Sequence, residues 1–476
     1  MTRLPRIGLV VNPVAGLGGR VGLGGTDGPE RPRVALSLGA HPLAGGRAVA
    51  ALGELALRLG ELAGAWRPRR TPGAPGPGPG EQVNVRASSA TRVPDGRHDG
   101  SAGAAHAPYD VPGGAPTGAL HAPDGMAELP AHPAPDTLNG RPGGAPPPDT
   151  AGPPPGSRIL VVTAAGTLGA DSVAAAGLPA RVVYAAEDGR DTSAADTAAA
   201  VRAVVAEGVD LLLFAGGDGT ARDVLAALGD APCPVLGVPT GVKMHSAVFA
   251  VSPRAAGEVA AAWVVRKGAV RLRDAEVMDR DEDALSEGRV TSRLFGWLPV
   301  PDVPVRVQQR KTGSTATAPE AVGGIAAEVA ERVGDGLLVL GPGSTTRAVA
   351  AALGADVTLT GVDVLSLRTG QPPRVVARDA AEDTLLALGP AWIALSPIGG
   401  QGFLLGRGNQ QISPRVLRAA GGRDHLLVLC TEQKLSALGG RPLLLDTGDD
   451  ALDAELSGHL PVITGRRRTS LYRLAT

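Results

Sequence analysis

The chain has 476 residues, with 46 Lys and Arg against 47 Asp and Glu and only 2% aromatic residues. It is too long for one ordinary domain, and a net charge of -1 gives no electrostatic basis for nucleic acid or an anionic membrane as the main partner. Two cysteines, Cys233 and Cys430, make neither a disulfide framework nor a zinc pattern and suit a reducing compartment.

At the start of the chain, "RIGLVVN" reads as a short apolar strand running into an Asn-Pro turn. Its apolar run, Ile7 to Val11, is too short for a signal-peptide core. No stretch approaches the roughly 18 apolar residues of a membrane span, so the expectation is a soluble cytoplasmic protein. "RAVAALGELALRLGEL" carries helical spacing. The composition then turns to Pro and Gly, as in "TPGAPGPGPGEQ" and "RPGGAPPPDTAGPPPG". Such a stretch cannot bury enough surface to offset its ordering entropy. Residues 67–156 are therefore expected to be a disordered insertion looping out of one domain, because "RIGLVV" and "RILVVT" on either side both read as strands of one buried sheet.

Beyond it, "RILVVTAAG" and "ARVVYA" read as strands, and "DTSAADTAAAVRAVVAEG" as a helix stopped at Gly208. "VDLLLFAGG" is a strand, "TARDVLAALG" a helix ending at Gly229, and "PVLGVP" another strand. That alternation predicts an α/β fold, a doubly wound (Rossmann-like) parallel sheet over residues 1–66 and 157–272. From 273 to 476 the texture is mixed and predicts a second, β-rich domain.

The motif with most chemistry is "GGDGT", residues 216–220. It sits where ligands bind in open α/β sheets, outside the carboxyl end of a strand. Gly216, Gly217 and Gly219 let the backbone approach a ligand, and their N–H groups with Thr220 and the helix start favour phosphate oxygens. Asp218 would be repelled by that phosphate unless it holds Mg²⁺ or accepts the proton of an attacking hydroxyl. On this reading Asp218 is exposed, because a substrate must reach it. The plainer alternative is a glycine turn with Asp218 as a helix cap.

"GGDGT" after a leucine-rich strand resembles the signature shared by NAD kinases, diacylglycerol and sphingosine kinases, and phosphofructokinases. "LVVNPVAGLGG" resembles the Asn-Pro opening that the first two groups place beside the nucleotide. With "GVPTGVKMHSAVFA", "VLGPGSTTRAV", "SPIGGQGFLLGRGNQQISPRVL" and "DTGDDALD", the chain is similar to the ATP–NAD kinase branch that includes acetoin catabolism protein X. The resemblance implies an NAD kinase-like fold with the site between two domains. It implies ATP and Mg²⁺ as cofactors, NAD as substrate, and transfer of the γ-phosphoryl group to the ribose 2′-hydroxyl with Asp218 as base. It places Asn12, Gly16, Gly18 and Gly19 near the nucleotide. The sequence departs from characterised NAD kinases in having no Asn-Glu pair. "GVKMHS" occupies that stretch, where Lys243 offers a point charge for phosphate and His245 a neutral donor or acceptor; a buried structural histidine is the alternative.

"GPGST", with Gly343, Ser344 and Thr345, repeats the phosphate-binding logic at a second strand end. "KTGST" at 311 reads as a mobile loop. Asn409, Gln410 and Gln411 offer paired donors and acceptors for an adenine or nicotinamide edge, or else a structural amide network. "DRDED", residues 279–283, reads as a solvated turn, and Asp449 is a helix cap and minor magnesium candidate. The reading is a Mg²⁺-dependent, ATP-using NAD kinase assembled as a homo-oligomer, with small-molecule partners only. Its rivals are a kinase for a lipid or small polyol, and a non-catalytic nucleotide-binding regulator.

Overall fold

The computed structural model describes residues 4–23, 30–65, 159–187, 192–241, 244–265, 269–280, 292–303, 307 and 319–476. The insertion expected over 67–156 and the "KTGST" motif lie outside them.

Five short apolar runs form the first sheet: β1 (Arg6–Val11), β2 (Leu160–Ala164), β3 (Ala180–Tyr184), β4 (Leu211–Gly216) and β5 (Val235–Pro239). All pairings are parallel, in the order β3-β2-β1-β4-β5. The segments flanking the insertion are thus neighbours, with Arg6 opposite Leu160. Every residue of β4 is buried, as a run of "LLLFAG" without polar alternation requires of a strand covered on both faces.

The helices of this lobe are α1 (Glu30–Ser37), α2 (Ala44–Ala65), α3 (Ala170–Ala175), α4 (Ala194–Ala206), α5 (Asp218–Leu228) and α6 (Pro253–Val265). α2 packs on α6, and α4 on α5. From β1 the chain builds outward through β2 and β3, then returns to lay β4 and β5 on the other side of β1. The reversal leaves a crevice outside the carboxyl ends of β1 and β4, where a doubly wound sheet binds ligands.

β6 (Leu272–Arg280) and β7 (Ser292–Pro301) form an antiparallel ribbon. The rest is built on a nine-stranded mixed sheet, as the β-rich expectation requires. Its strands are β8 (Gly336–Leu340), β9 (Asp363–Leu367), β10 (Arg374–Ala377), β11 (Trp392–Leu395), β12 (Phe403–Leu405), β13 (Leu426–Leu429), β14 (Leu443–Leu445), β15 (Gly458–Gly465) and β16 (Arg468–Ala475). They follow the order β10-β9-β8-β11-β13-β15-β16-β14-β12. Its helices are α7 (Pro319–Val333), α8 (Ser344–Leu353), α9 (Glu382–Leu386), α10 (Pro414–Ala420), α11 (Glu432–Ser436) and α12 (Asp450–Leu456).

Both lobes belong to one compact unit. The core around β1 and β4 is continuous with Phe403 and Leu444 of the second sheet. At the junction, Asp446 accepts from Arg47 Nη1 at 2.9 and 2.7 Å and lies 3.3 Å from Arg407 Nη2. Arg47 Nη1 also donates to the Pro239 carbonyl at the end of β5 (3.1 Å). Among the described residues, no helix is long and apolar enough to cross a membrane.

Candidate active site

The apolar run of β4 ends at Gly216, and α5 begins at Asp218, two residues earlier than the pattern "TARDVLAALG" predicts. Gly216 has room for no side chain, since a Cβ there would overlap Thr220. The N-cap is Gly217, which supplies no side-chain bond to the helix. The first amides of α5 are therefore left for an anion. Asp218 and Thr220 are buried, while Gly217 and Gly219 keep partial exposure. The turn presents backbone outward and tucks its two functional side chains inward.

Asp218 is 2% exposed, which corrects the expectation of an open carboxylate. The neighbouring loop after β5 closes over it. His245 N donates to Asp218 Oδ2 (2.6 Å), Ser246 N to Oδ1 (3.0 Å) and the Ser246 hydroxyl to Oδ1 (2.7 Å). Burial pushes its carboxyl up to about 7, against the pull of the Ser246 hydroxyl and the two amides, and the charge of Asp279 adds to the rise. A carboxylate that shares its proton near neutral pH suits a general base better than one ionised at pH 4.

The β1 turn braces this arrangement. Asn12 N donates to the Ala215 carbonyl (2.9 Å), and Asn12 Nδ2 donates to Thr220 Oγ1 (3.0 Å), while Asn12 Oδ1 accepts from Val14 N (3.2 Å). Asn12 thus ties the two glycine turns together across the crevice, a structural role that the nucleotide-contact reading did not include. Gly16 has φ +85°, and its Cβ position is filled by the Thr240 carbonyl. Gly18 and Gly19 are buried in the same turn.

His245 is buried, with Nδ1 3.0 Å from Ser292 Oγ and 4.0 Å from Asp218 Oδ2. Its backbone, more than its ring, serves the carboxylate. Lys243 lies outside the described residues. Asp279, expected on a solvated turn, instead stands next to last in β6, almost buried, and accepts from Arg222 Nη1 at 3.0 Å. Arg222 also lies over the Phe295 ring, 4.3 Å from its centroid. Next to it Asp223 is pushed up to about 6 by burial. Ser246 and Ser292 escaped sequence reasoning because each is brought in from another loop or strand, and Arg222, four residues after Asp218 on α5, because its partner Asp279 is brought in by β6. The only local signal was Ser246 beside the singled-out His245.

The other predicted groups fall elsewhere. Gly343 caps α8, again without a side-chain bond, and Ser344 opens the helix. Thr345 Oγ1 accepts from Lys434 Nζ (3.3 Å), which also donates to Ser396 Oγ (2.9 Å). This second turn stands at the carboxyl end of β8, in the other sheet. Asn409 is spent internally, with Oδ1 accepting from Gly406 N (3.0 Å) and Nδ2 donating to the Leu404 carbonyl (2.8 Å). These two bonds give Asn409 a role in the amide network of this turn. Gln410 Nε2 reaches the Gly406 carbonyl (3.4 Å). Asp449 caps α12 through Leu452 N and pairs with Arg418 (2.8 Å), the helix-cap role expected of it.

The ATP-NAD kinase N-terminal domain matches residues 156–267, and the ATP-NAD kinase C-terminal domain matches residues 328–474. The two together take in more than half of the chain and fall one on each lobe. The chain belongs to the ATP-NAD kinase family. No curated protein and no solved structure matches it. The family's N-terminal domain includes the β4–α5 turn and the Asp218 loop, and its C-terminal domain includes Gly343 to Thr345 and the stretch around Asn409.

The family uses a divalent cation. The described residues do not make a protein-held site for one. Both oxygens of Asp218 are occupied by three donors, and among the described residues no group of three His, Cys, Asp or Glu side chains stands together to hold a metal. Magnesium carried on nucleotide phosphates needs no such group, and no step below depends on it.

Proposed function

We propose that the protein is an ATP-dependent NAD kinase that phosphorylates the 2′-hydroxyl of the adenosine ribose to give NADP. The observation that carries this reading is Asp218, a buried carboxylate held near pH 7 at the mouth of an uncapped, glycine-lined helix start. Asp218 takes the proton of the attacking hydroxyl. The hydroxyl oxygen bonds to the γ-phosphorus as the bond to the β–γ bridging oxygen breaks, and ADP leaves. The amides of Gly217 to Thr220 hold phosphate oxygens.

Purified protein incubated with ATP and NAD should produce NADP. Asp218→Asn should reduce turnover by ~10²–10⁴-fold while NAD still binds. NADP formation undiminished in that variant removes Asp218 from the chemistry.

One observation favours a second reading, a nucleotide-binding regulator without catalysis. The three bonds to Asp218 anchor the loop after β5, a purely structural task. That reading expects binding of NAD or ATP with no turnover in the wild-type protein.

A further inference from the structure

A cavity of about 650 Å³ lies beside the junction of the lobes, bounded by α2, the start of α6, the turn after β12 and the segment from β14 into α12. That is room for a small metabolite. Among the described residues that line it, neither Asn12 nor any residue of the Gly216–Thr220 turn appears. The steps from β1 to β2 and from β4 to β5 run in opposite directions along the sheet. Right-handed crossovers therefore put α2 on one face and α5, with Asp218, on the other. The cavity follows α2 and is a second site.

Its charged lining is balanced, four arginines against four Asp or Glu side chains. Several of these are committed to one another, Arg58 to Glu258 and Arg47 to Asp446. One edge of Arg47 is left over. Its Nη1 alone serves both oxygens of Asp446 and the Pro239 carbonyl, so Nε–H and Nη2 have no partner among the described residues. That edge of a guanidinium takes an oxyanion through two parallel bonds. The ion pair holds the group in place, with 13% of the side chain exposed. Gly448, also on the cavity wall, has φ +83°, and a Cβ there would lie 3.5 Å from Nη2. A longer side chain at 448 would cover the edge, and glycine leaves it open.

Acceptors stand on the same walls. Asp450, the first residue of α12, is exposed, and its carboxylate has no hydrogen bond or ion pair among the described residues. Gln410 turns its nitrogen to the Gly406 carbonyl (3.4 Å), and its amide oxygen has no partner. Arg47 thus requires an anion, and these two require O–H or N–H donors. A polyanion such as a nucleoside triphosphate meets as many acids as arginines here, and like charges placed together are costly. An acyl chain leaves every one of these groups unmatched. We infer that the cavity binds a small polyhydroxylated molecule with one terminal oxyanion, a sugar monophosphate or a sugar acid. Its anion meets the free edge of Arg47, and its hydroxyls meet Asp450 and Gln410. The inference goes beyond the kinase reading and does not depend on it.

The test is calorimetric titration of the full chain with ribose 5-phosphate and, separately, with gluconate, against ribose and inorganic phosphate as controls. At least one of the two charged sugars should bind saturably and about tenfold or more tighter than either control, the scale of one charge-assisted hydrogen bond. Saturating NAD should leave that binding in place. Ala50→Phe sends a ring into the cavity from an exposed helical position and should abolish the binding. Arg47→Lys keeps a charge facing Asp446 but lacks the two-donor edge, and should weaken binding about tenfold or more. Should Arg47→Lys fail to fold, Ala50→Phe decides alone. Unchanged affinity in Ala50→Phe overturns the inference, as does displacement of the charged sugar by NAD. Inorganic phosphate bound as tightly as ribose 5-phosphate, or a wild-type chain that binds neither charged sugar, overturns it too. The turnover of Asp218→Asn is a separate measurement and stands or falls by itself.

Discussion

The Ser246 hydroxyl lies 2.7 Å from Asp218 Oδ1 and also 2.8 Å from the Met278 carbonyl oxygen, yet it has one proton to give. When that proton goes to Met278, Asp218 loses a donor and becomes more basic. Met278 N donates back to the same hydroxyl (2.9 Å), which keeps Ser246 in place through the exchange. Ser246→Ala removes the strongest of the bonds that hold the Asp218 carboxyl down. The rising limb of a pH–rate profile should shift to higher pH in this variant, and a profile identical to the wild type would separate the hydroxyl from the basicity of Asp218.

Activity itself should climb as pH passes through about 7, because only the ionised carboxylate takes a proton. The residual turnover of Asp218→Asn should lack this limb. Steady-state rates between pH 5.5 and 8.5, at about one-unit spacing or finer, resolve a single titration of this kind.

Stability should respond in the opposite direction. Burial raises the carboxyls of Asp218 to about 7 and of Asp223 and Asp453 to about 6, all above the ~3.9 of an unfolded aspartate. Each folded carboxyl holds its proton more tightly than the unfolded one. The stabilising contribution is complete below about pH 4 and is lost as pH rises through 6 and 7. The urea midpoint should therefore fall between pH 5 and pH 8, and the upper part of that fall should flatten in Asp218→Asn. A midpoint that rises across this interval contradicts the assignment.

Asp446→Asn should be among the most damaging single changes. It leaves Arg47 and Arg407 facing each other at the junction without their shared carboxylate. Breaking a buried pair from one side costs about 3–5 kcal/mol, measurable as a lower denaturant midpoint. A loss below about 1 kcal/mol would class the contact with ordinary surface pairs.

Gly16→Ala meets two obstacles at once, a left-handed backbone at φ +85° and the Thr240 carbonyl where the methyl must go. The strained conformation alone costs roughly 1–3 kcal/mol. The melting temperature should drop, because the turn and the Thr240 carbonyl must both give way. An alanine variant that melts like the wild type would show that the turn relaxes freely.

Much of the first lobe is legible from the chain itself. Uninterrupted apolar runs such as "LLLFAG" leave little alternative to a buried parallel strand, and glycines at 208 and 229 mark helix ends correctly. The glycine turn and its aspartate are equally plain. The burial of Asp218 is not, because it depends on amides of His245 and Ser246 that no side-chain pattern advertises. The bonds of Asn409 to Leu404 and Gly406 were hidden for a related reason, because nothing in a glycine-rich stretch indicates which backbone groups an amide side chain meets. Asp279 looked like part of an acidic turn, and only the pairing of β6 with β7 brings it to Arg222.

Phe403 and Leu444, from the second sheet, complete the apolar interior of the first. Neither half is then a self-sufficient module that a gene fusion could lend to another protein. The catalytic-type turn and the sheet that shelters it have to be inherited, expressed and melted as one piece.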